Sequence, residues 1–302
     1  MCFKEGCAEL NSNQVFLTLP SKGRLFQPSL DLLTSAGLIS YFSNDRSYQA
    51  CSNMKDLRIV FNRAADIPRM VENGVVDLGI TGRDLVREAN ADVEELLKLN
   101  YGHAKLVLAA PASRFKDIDD VRSAGSLKVA TEFPNITRSF FKDLDVKAEI
   151  IGVEGTTESM PNLGLSDCII SVMSTGTTLM LHGLKILATV MDSQAVLIGN
   201  KNSLKNVEKQ SVIGYVTSIV EATQLAQGKK LLMMNVPEKC LKDVLGCLPC
   251  MSGPTVSKVE SKEAMWEVIT VVDSKEVFEV VYNVKNRGAR DILVLNIDKV
   301  IM

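Results

Sequence analysis

Histidine is almost missing from this chain: His103 and His182 are the only two in 302 residues. That scarcity argues against a histidine-based nucleophilic triad or metal cluster, since both need imidazoles converging from different segments. His103 reads as a strand-start residue and His182 as a packing residue on an apolar helix. Long apolar runs are missing too. None approaches the roughly 18 to 20 residues of a membrane span, and Met1 to Gln14 lacks the apolar core of a signal peptide. A cytoplasmic protein with no membrane partner is expected, with residues 1–13 as a loose leader. There is no excess of one charge, because 34 Lys and Arg face 36 Asp and Glu for a formal net charge of −2. No broad basic surface is available for nucleic acid, so any polyanion must be met by a few local cations. The seven cysteines are odd in number and contain one C-x-x-C pair, Cys247 and Cys250. Without a second pair or a nearby histidine, a four-ligand zinc site is poorly supported and reduced thiols are the default.

What is present is a globular composition, 46% apolar and 23% charged, in a chain long enough for two or three domains. One stretch dominates it: Glu158-Ser-Met-Pro-Asn-Leu-Gly-Leu-Ser-Asp-Cys-Ile-Ile-Ser-Val-Met-Ser-Thr-Gly-Thr-Thr-Leu179. Asp167 to Val172 is short, apolar and β-branched, as a buried parallel strand is. Beyond it, Gly176 allows a tight turn, Ser174, Thr175, Thr177 and Thr178 offer hydroxyls, and an apolar run begins a helix. Strand, hydroxyl-glycine loop and helix start outline a phosphate cradle. An ordinary capped helix after a strand has the same outline, and both readings stand at this point.

A strand at Val15 to Leu19 leads into Ser21-Lys22-Gly23-Arg24-Leu25, a glycine turn between two cations that suits a pyrophosphate, although taken in isolation a solvated turn is the better reading. The strand Leu57 to Phe61 ends at Arg63, on the edge where open α/β sheets bind ligands. Val75 to Asp84 repeats the strand, Thr-Gly turn and helix. Further β/α alternation follows up to a long helix at about Leu204 to Gln227. This pattern predicts parallel sheets in two lobes, residues 14–103 with 189–227 and residues 104–188. After the linker Gly228-Lys-Lys230 the order becomes βαββαβ, a ferredoxin-like domain over residues 228–302. Small appended domains of this kind more often regulate or assemble than catalyse, an analogy of fold only.

In Glu158 to Leu179 the chain resembles the ATP phosphoribosyltransferase family. The likeness extends through Ser21 to Leu25, Asp66-Ile-Pro68, Gly74 to Gly82, Leu248-Pro249 to Pro254-Thr255, and the closing Gly288 to Ile301, which is similar to the end of the family's long form. The resemblance implies a two-lobed catalytic part like type II periplasmic binding proteins, plus a C-terminal ferredoxin-like (ACT/PII-like) regulatory domain. It implies attack of adenine N1 of ATP on C1 of phosphoribosyl pyrophosphate, with Mg²⁺ carried by the substrates rather than by a protein metal site. It also implies feedback inhibition by histidine and a homo-oligomer, dimers assembling into hexamers. Arg24 and Arg63 are then the expected catalytic residues. Lys22, Gly23, Asp167, Ser171, Ser174, Thr175, Gly176, Thr177 and Thr178 are expected to bind substrate, and Thr255 and Ala289 to line an inhibitor pocket between neighbouring C-terminal domains.

Ser171 departs from the family, which usually carries Asp there. By period-two alternation Asp167 and Ser171 share a strand face, so the carboxylate nearest the loop is expected to be lost while Asp167 remains. Ser171→Asp is expected to leave activity intact or raise it. The competing class is a non-catalytic two-lobed sensor of small ligands, and an assembly subunit is a third. Two polyanion sites favour the enzyme, because an amino-acid receptor needs none.

Overall fold

Val15–Pro20 forms strand β1, and every residue in it but Phe16 is buried, as happens when both faces of a central strand are covered. In the computed structural model, residues 13–41, 49–173, 177–249 and 253–301 are described. After β1 come α1 (Phe26–Ser35), β2 (Ile39–Tyr41), β3 (Gln49–Ser52), β4 (Leu57–Asn62), α2 (Ile67–Glu72), β5 (Leu78–Gly82), α3 (Arg83–Ala89) and β6 (Glu94–Lys98). The chain then crosses to a second sheet through β7 (Ala104–Pro111), α4 (Ile118–Ser123), β8 (Ser126–Thr131), α5 (Pro134–Asp143), β9 (Lys147–Gly152), β10 (Cys168–Met173), α6 (Thr177–Leu181) and β11 (Leu184–Ser193). It returns as β12 (Ala195–Gly199) and α7 (Val207–Ala226).

Among the described residues the first sheet has the order β2-β3-β4-β1-β5-β12-β6 and the second β11-β7-β10-β8-β9. The all-parallel sheets expected from β/α alternation are in fact mixed. Only β4-β1-β5 and β10-β8-β9 are parallel runs, because the strands that carry the chain out and back oppose their neighbours and β2-β3-β4 is a local antiparallel meander. The return also falls later than residue 189, since β11 keeps its antiparallel pairing to β7 as far as Ser193 opposite Ala104. Alternation along the second sheet sends Leu106, Leu108 and Ile170 to a cluster with Phe133 and Phe141, and Val107, Ala109 and Ile169 to one with Leu179 and Leu184.

Asp77 ties α7 to the first sheet. Its buried carboxylate accepts from Phe16 N at 2.8 Å, Ser203 Oγ at 2.6 Å and Lys209 Nζ at 2.7 Å. All three partners are donors, so an amide NH₂ in its place would face a donor. Asp77→Asn is expected to cost about 2 kcal/mol of stability with kcat unchanged, read by urea unfolding beside an activity assay. Unchanged stability would show that the three bonds are dispensable.

The chain divides into two compact units at Thr217/Ser218, inside α7 and not at the Gly228 linker. Buried Val220 and Ala222 belong to the second unit, where Val300 N donates to Ala222 O at 2.9 Å. That unit runs β13 (Lys229–Pro237), α8 (Leu241–Leu245), β14 (Thr255–Val259), β15 (Met265–Asp273), α9 (Val277–Asn286) and β16 (Arg290–Asn296). The sheet order β14-β15-β13-β16, antiparallel throughout, is the expected ferredoxin-like one. Leu232, Met234 and Val236 alternate inward on β13 and pack with Val280 and Val284 of α9. Among the described residues no helix is long and apolar enough to cross a membrane.

Candidate active site

Three parallel strands, β4, β1 and β5, end side by side, and the loops leaving them form one polar edge. The turn after β1 is anchored by Ser21 N donating to Asn62 O at 2.7 Å, and Gly23 sits at φ +82°, a conformation glycine adopts without strain. Lys22 and Arg24 therefore leave one turn, both exposed. Arg63 is exposed on the neighbouring loop, whose Ala64 carbonyl is held by the buried Thr81 hydroxyl at 2.7 Å. The Thr81-Gly82 pair read as a turn is instead the end of β5, which runs directly into α3. All three predicted cations thus stand on one sheet edge.

Arg24 does not extend freely. Its guanidinium donates to Gly102 O at 3.0 Å and to Asp84 Oδ2 at 3.1 Å, where Asp84 is 2% exposed. Gly102, at φ +68°, belongs to the segment that leaves for the second sheet; a Cβ there would stand 2.3 Å from Leu25 Cδ2. The returning segment runs beside it, with Leu99 N donating to Ala195 O at 2.8 Å and Ala195 N to Tyr101 O at 3.0 Å. Tyr101 stays a phenol: burial raises its pKa, only partly offset by the bond to Ser29.

On the second sheet, β9, β8 and β10 end together in the same way. Glu132 Oε1 accepts from Gly155 N at 2.6 Å, and Thr156 is held at φ +50°, a strained place for a β-branched residue. The next turn presents Glu158, whose Oε1 accepts from Ser171 Oγ at 3.1 Å. This corrects the expected loss of a carboxylate beside the loop: Ser171 lacks one but holds the one that Glu158 supplies. Thr177 and Thr178 begin α6; Ser174, Thr175 and Gly176 lie outside the described residues. The two edges are close together, because α3, about 10 Å long, starts on the first and ends against the second. There Glu88 accepts from Asn135 N at 2.9 and 3.1 Å and from Ile136 N at 3.0 Å, capping α5 across the lobes.

Asp167 is not brought to this site. It precedes β10, roughly 20 Å from the loop at the far end of the strand, where it pairs with Arg114 at 2.7 Å and accepts from Lys128 N at 2.7 Å. Alternation put it on the right face but at the wrong end. Next to it, Cys168 is buried and its thiol is pushed up to about 12, by burial first and by the Asp167 charge second. Cys168 is accordingly expected to resist iodoacetamide at pH 8 in the folded protein and to react fully in urea, as read by peptide mapping. Fast labelling of the native chain would contradict that burial. A cleft of about 590 Å³ lined by Arg83, Arg87, Asn135 and Phe140 lies between α3 and α5 and holds none of the predicted residues.

In the second unit Thr255 starts β14, and Ala289, which is buried in the unit's core, precedes β16 on the opposite margin of the sheet. Glu158, Glu132, Asp84 and Gly102 carried no separate signal in the sequence. Each acquires meaning only from a partner distant along the chain.

Two mixed α/β sheets joined by a double crossover, with Lys22, Arg24 and Arg63 on the strand-end edge of one and Glu158 and Ser171 near that of the other, define a two-lobed α/β protein. A family profile described as ATP phosphoribosyltransferase matches residues 63–238, and one described as HisG, C-terminal domain matches residues 226–299. The ATP phosphoribosyltransferase of Methanosarcina acetivorans is 46% identical over 290 residues, covering 94% of this chain and 98% of that relative. That of Sulfurisphaera tokodaii is 43% identical over 289 residues, covering 94% and 99%. Among solved structures, the ATP phosphoribosyl transferase (HisG:HisZ) complex from Thermotoga maritima matches with TM-score 0.59 and 26% identity, covering 69% of this chain and 99% of that one. The chain belongs to the ATP phosphoribosyltransferase family, pentosyltransferases, and carries the C-terminal domain of its long form.

Proposed function

We propose that this chain transfers the phosphoribosyl group of phosphoribosyl pyrophosphate to N1 of ATP, releasing pyrophosphate as the first step of histidine biosynthesis. The supporting observation is Arg24, held by two bonds at the edge shared by β4, β1 and β5, in a chain related to the family over nearly all its length. In the reaction the bond from C1 to the pyrophosphate oxygen breaks, and its electron pair leaves with pyrophosphate. The N1 lone pair of adenine forms the new bond to C1. Bond breaking runs ahead of bond making, so negative charge grows on the leaving group and positive charge on the ribose.

Arg24 and Arg63, with Lys22, meet the growing charge on pyrophosphate and the ATP phosphates, while Gly23 lets that turn come close. Ser174, Thr175, Gly176, Thr177 and Thr178 take the 5-phosphate. Glu158, oriented by Ser171, faces the ribose hydroxyls and the positive charge near C1. No protein nucleophile is required, so catalysis rests on position and electrostatics. Among the described residues no three His, Cys, Asp or Glu side chains converge as a metal site. Substrate oxygens suit Mg²⁺, which would neutralise part of the phosphate charge when bound.

The same proposal includes cytoplasmic location, feedback inhibition by histidine through the second unit, and dimers that assemble into hexamers. Assembly is supported by β16, a margin strand that exposes Leu293, Val294 and Leu295, an apolar edge that is open to pairing. The test is pyrophosphate release from purified protein with ATP, phosphoribosyl pyrophosphate and Mg²⁺, each substrate omitted in turn, with and without histidine. Release that needs both substrates and falls with histidine is expected. Binding of both without release would point to a sensor instead.

A further inference from the structure

The two partners of Arg24 lead to the two different connections between the lobes. Gly102, which accepts from Arg24 at 3.0 Å, lies on the outgoing segment. Asp84 is fastened to the returning one: its backbone N donates to Ser193 Oγ at 3.1 Å, and the preceding Arg83 N donates to Gln194 O at 3.0 Å. Arg24 is therefore joined to one crossover directly and to the other through Asp84. The Asp84 carboxylate has an unusual environment for a buried charge. Arg24 is its ion-pair partner, and among the described residues its Oδ1 has no hydrogen-bond partner. A buried carboxylate satisfied on one oxygen adds little stability, since desolvation offsets the attraction. It does fix a guanidinium, whose planar fork binds in few orientations. The Arg24 side chain remains 37% exposed, with N–H donors beyond the two already used.

Building on the assignment of Arg24 to pyrophosphate, we propose that Asp84 is the positioning residue for that departure. It holds the Arg24 guanidinium so that the remaining donors meet the leaving group, and through Ser193 it ties this hold to the connection between the lobes. Asp84 touches no substrate, and its effect passes through Arg24.

The test is a double-mutant cycle on kcat for pyrophosphate release, using wild type, Arg24→Ala, Asp84→Ala and the double variant. Asp84→Ala is expected to lower kcat by about 30-fold with KM for phosphoribosyl pyrophosphate changed less than threefold. The double variant should then be no slower than Arg24→Ala within about twofold, because the role of Asp84 disappears with its target. Ser193→Ala should lower kcat a few-fold in the presence of Arg24 and leave it unchanged in its absence. If Asp84→Ala does not fold, Asp84→Asn, which keeps the shape without the charge, replaces it in the cycle. Effects that multiply would overturn the role and leave Asp84 a structural residue. An Asp84 variant as fast as wild type, or an unimpaired Arg24→Ala, would overturn it as well. Wild-type protein that released no pyrophosphate would instead sink the functional proposal on which the role depends.

Discussion

Arg24→Ala is expected to lower kcat for pyrophosphate release by about 100- to 1000-fold, about 3 to 4 kcal/mol, with a much smaller change in KM for phosphoribosyl pyrophosphate. The split follows from where charge develops. On the proposed assignment, ground-state binding is shared with the loop given to the 5-phosphate, whereas the Arg24 guanidinium meets a group whose negative charge grows as the bond to C1 breaks. Arg24 is also held in advance, by Gly102 O and Asp84, so little reorganisation accompanies the reaction. Arg24→Lys should recover part of the rate, since it restores the charge without the fork. Thermal stability of the alanine variant should fall too, because Asp84 is left buried without its cation. Steady-state kinetics beside a melting curve separate the two effects, and a kcat within twofold of wild type would remove Arg24 from the site.

A second large effect is expected at Glu158. Glu158→Gln should lower kcat by about 100-fold, because an amide keeps the shape but cannot balance positive charge on the ribose. Ser171→Ala, which loses only the bond that orients Glu158, should cost about fivefold, or about 1 kcal/mol. Ser171→Asp distinguishes an oriented carboxylate from an incidental contact. Two carboxyl groups within hydrogen-bonding distance share a proton, which raises the pKa of one of them. Below that raised pKa the protonated Asp donates to Glu158 as serine does, and activity is retained. Above it the pair carries a second charge, so the pH–rate profile should gain an ionisation that wild type lacks. That ionisation should disappear when Glu158→Gln is added. If Glu158→Gln runs at the wild-type rate, the carboxylate is structural.

The central strands and the ferredoxin-like order were readable because their runs of Val, Ile and Leu are short, apolar and punctuated by glycine turns. Strands β2, β3 and β6 were not, since each is short and carries exposed residues. Lys22, Arg24 and Arg63 announced themselves by standing at strand ends, and the sheet order placed all three on one edge. Asp167 misled because alternation reports which face a residue shares and says nothing of which end of the strand it occupies. Glu158 and Ser171 are separated by 13 positions, Arg24 and Gly102 by 78, and no local pattern encodes such meetings. They depend on how the chain returns to itself.

That return has a consequence for synthesis. The second lobe is one unbroken stretch from Ala104 to Ser193, and those two residues face each other in the β7–β11 pairing, so its sheet can close as soon as its own residues are made. The first lobe cannot. Strand β12 lies between β5 and β6, and until Ala195–Gly199 has been synthesised β6 has no partner within that sheet. The part of the chain made first is thus expected to finish last, reversing the usual order in which domains mature on the ribosome. Strand β6 is joined to the rest of its sheet by a strand that arrives only after the whole intervening lobe has been synthesised.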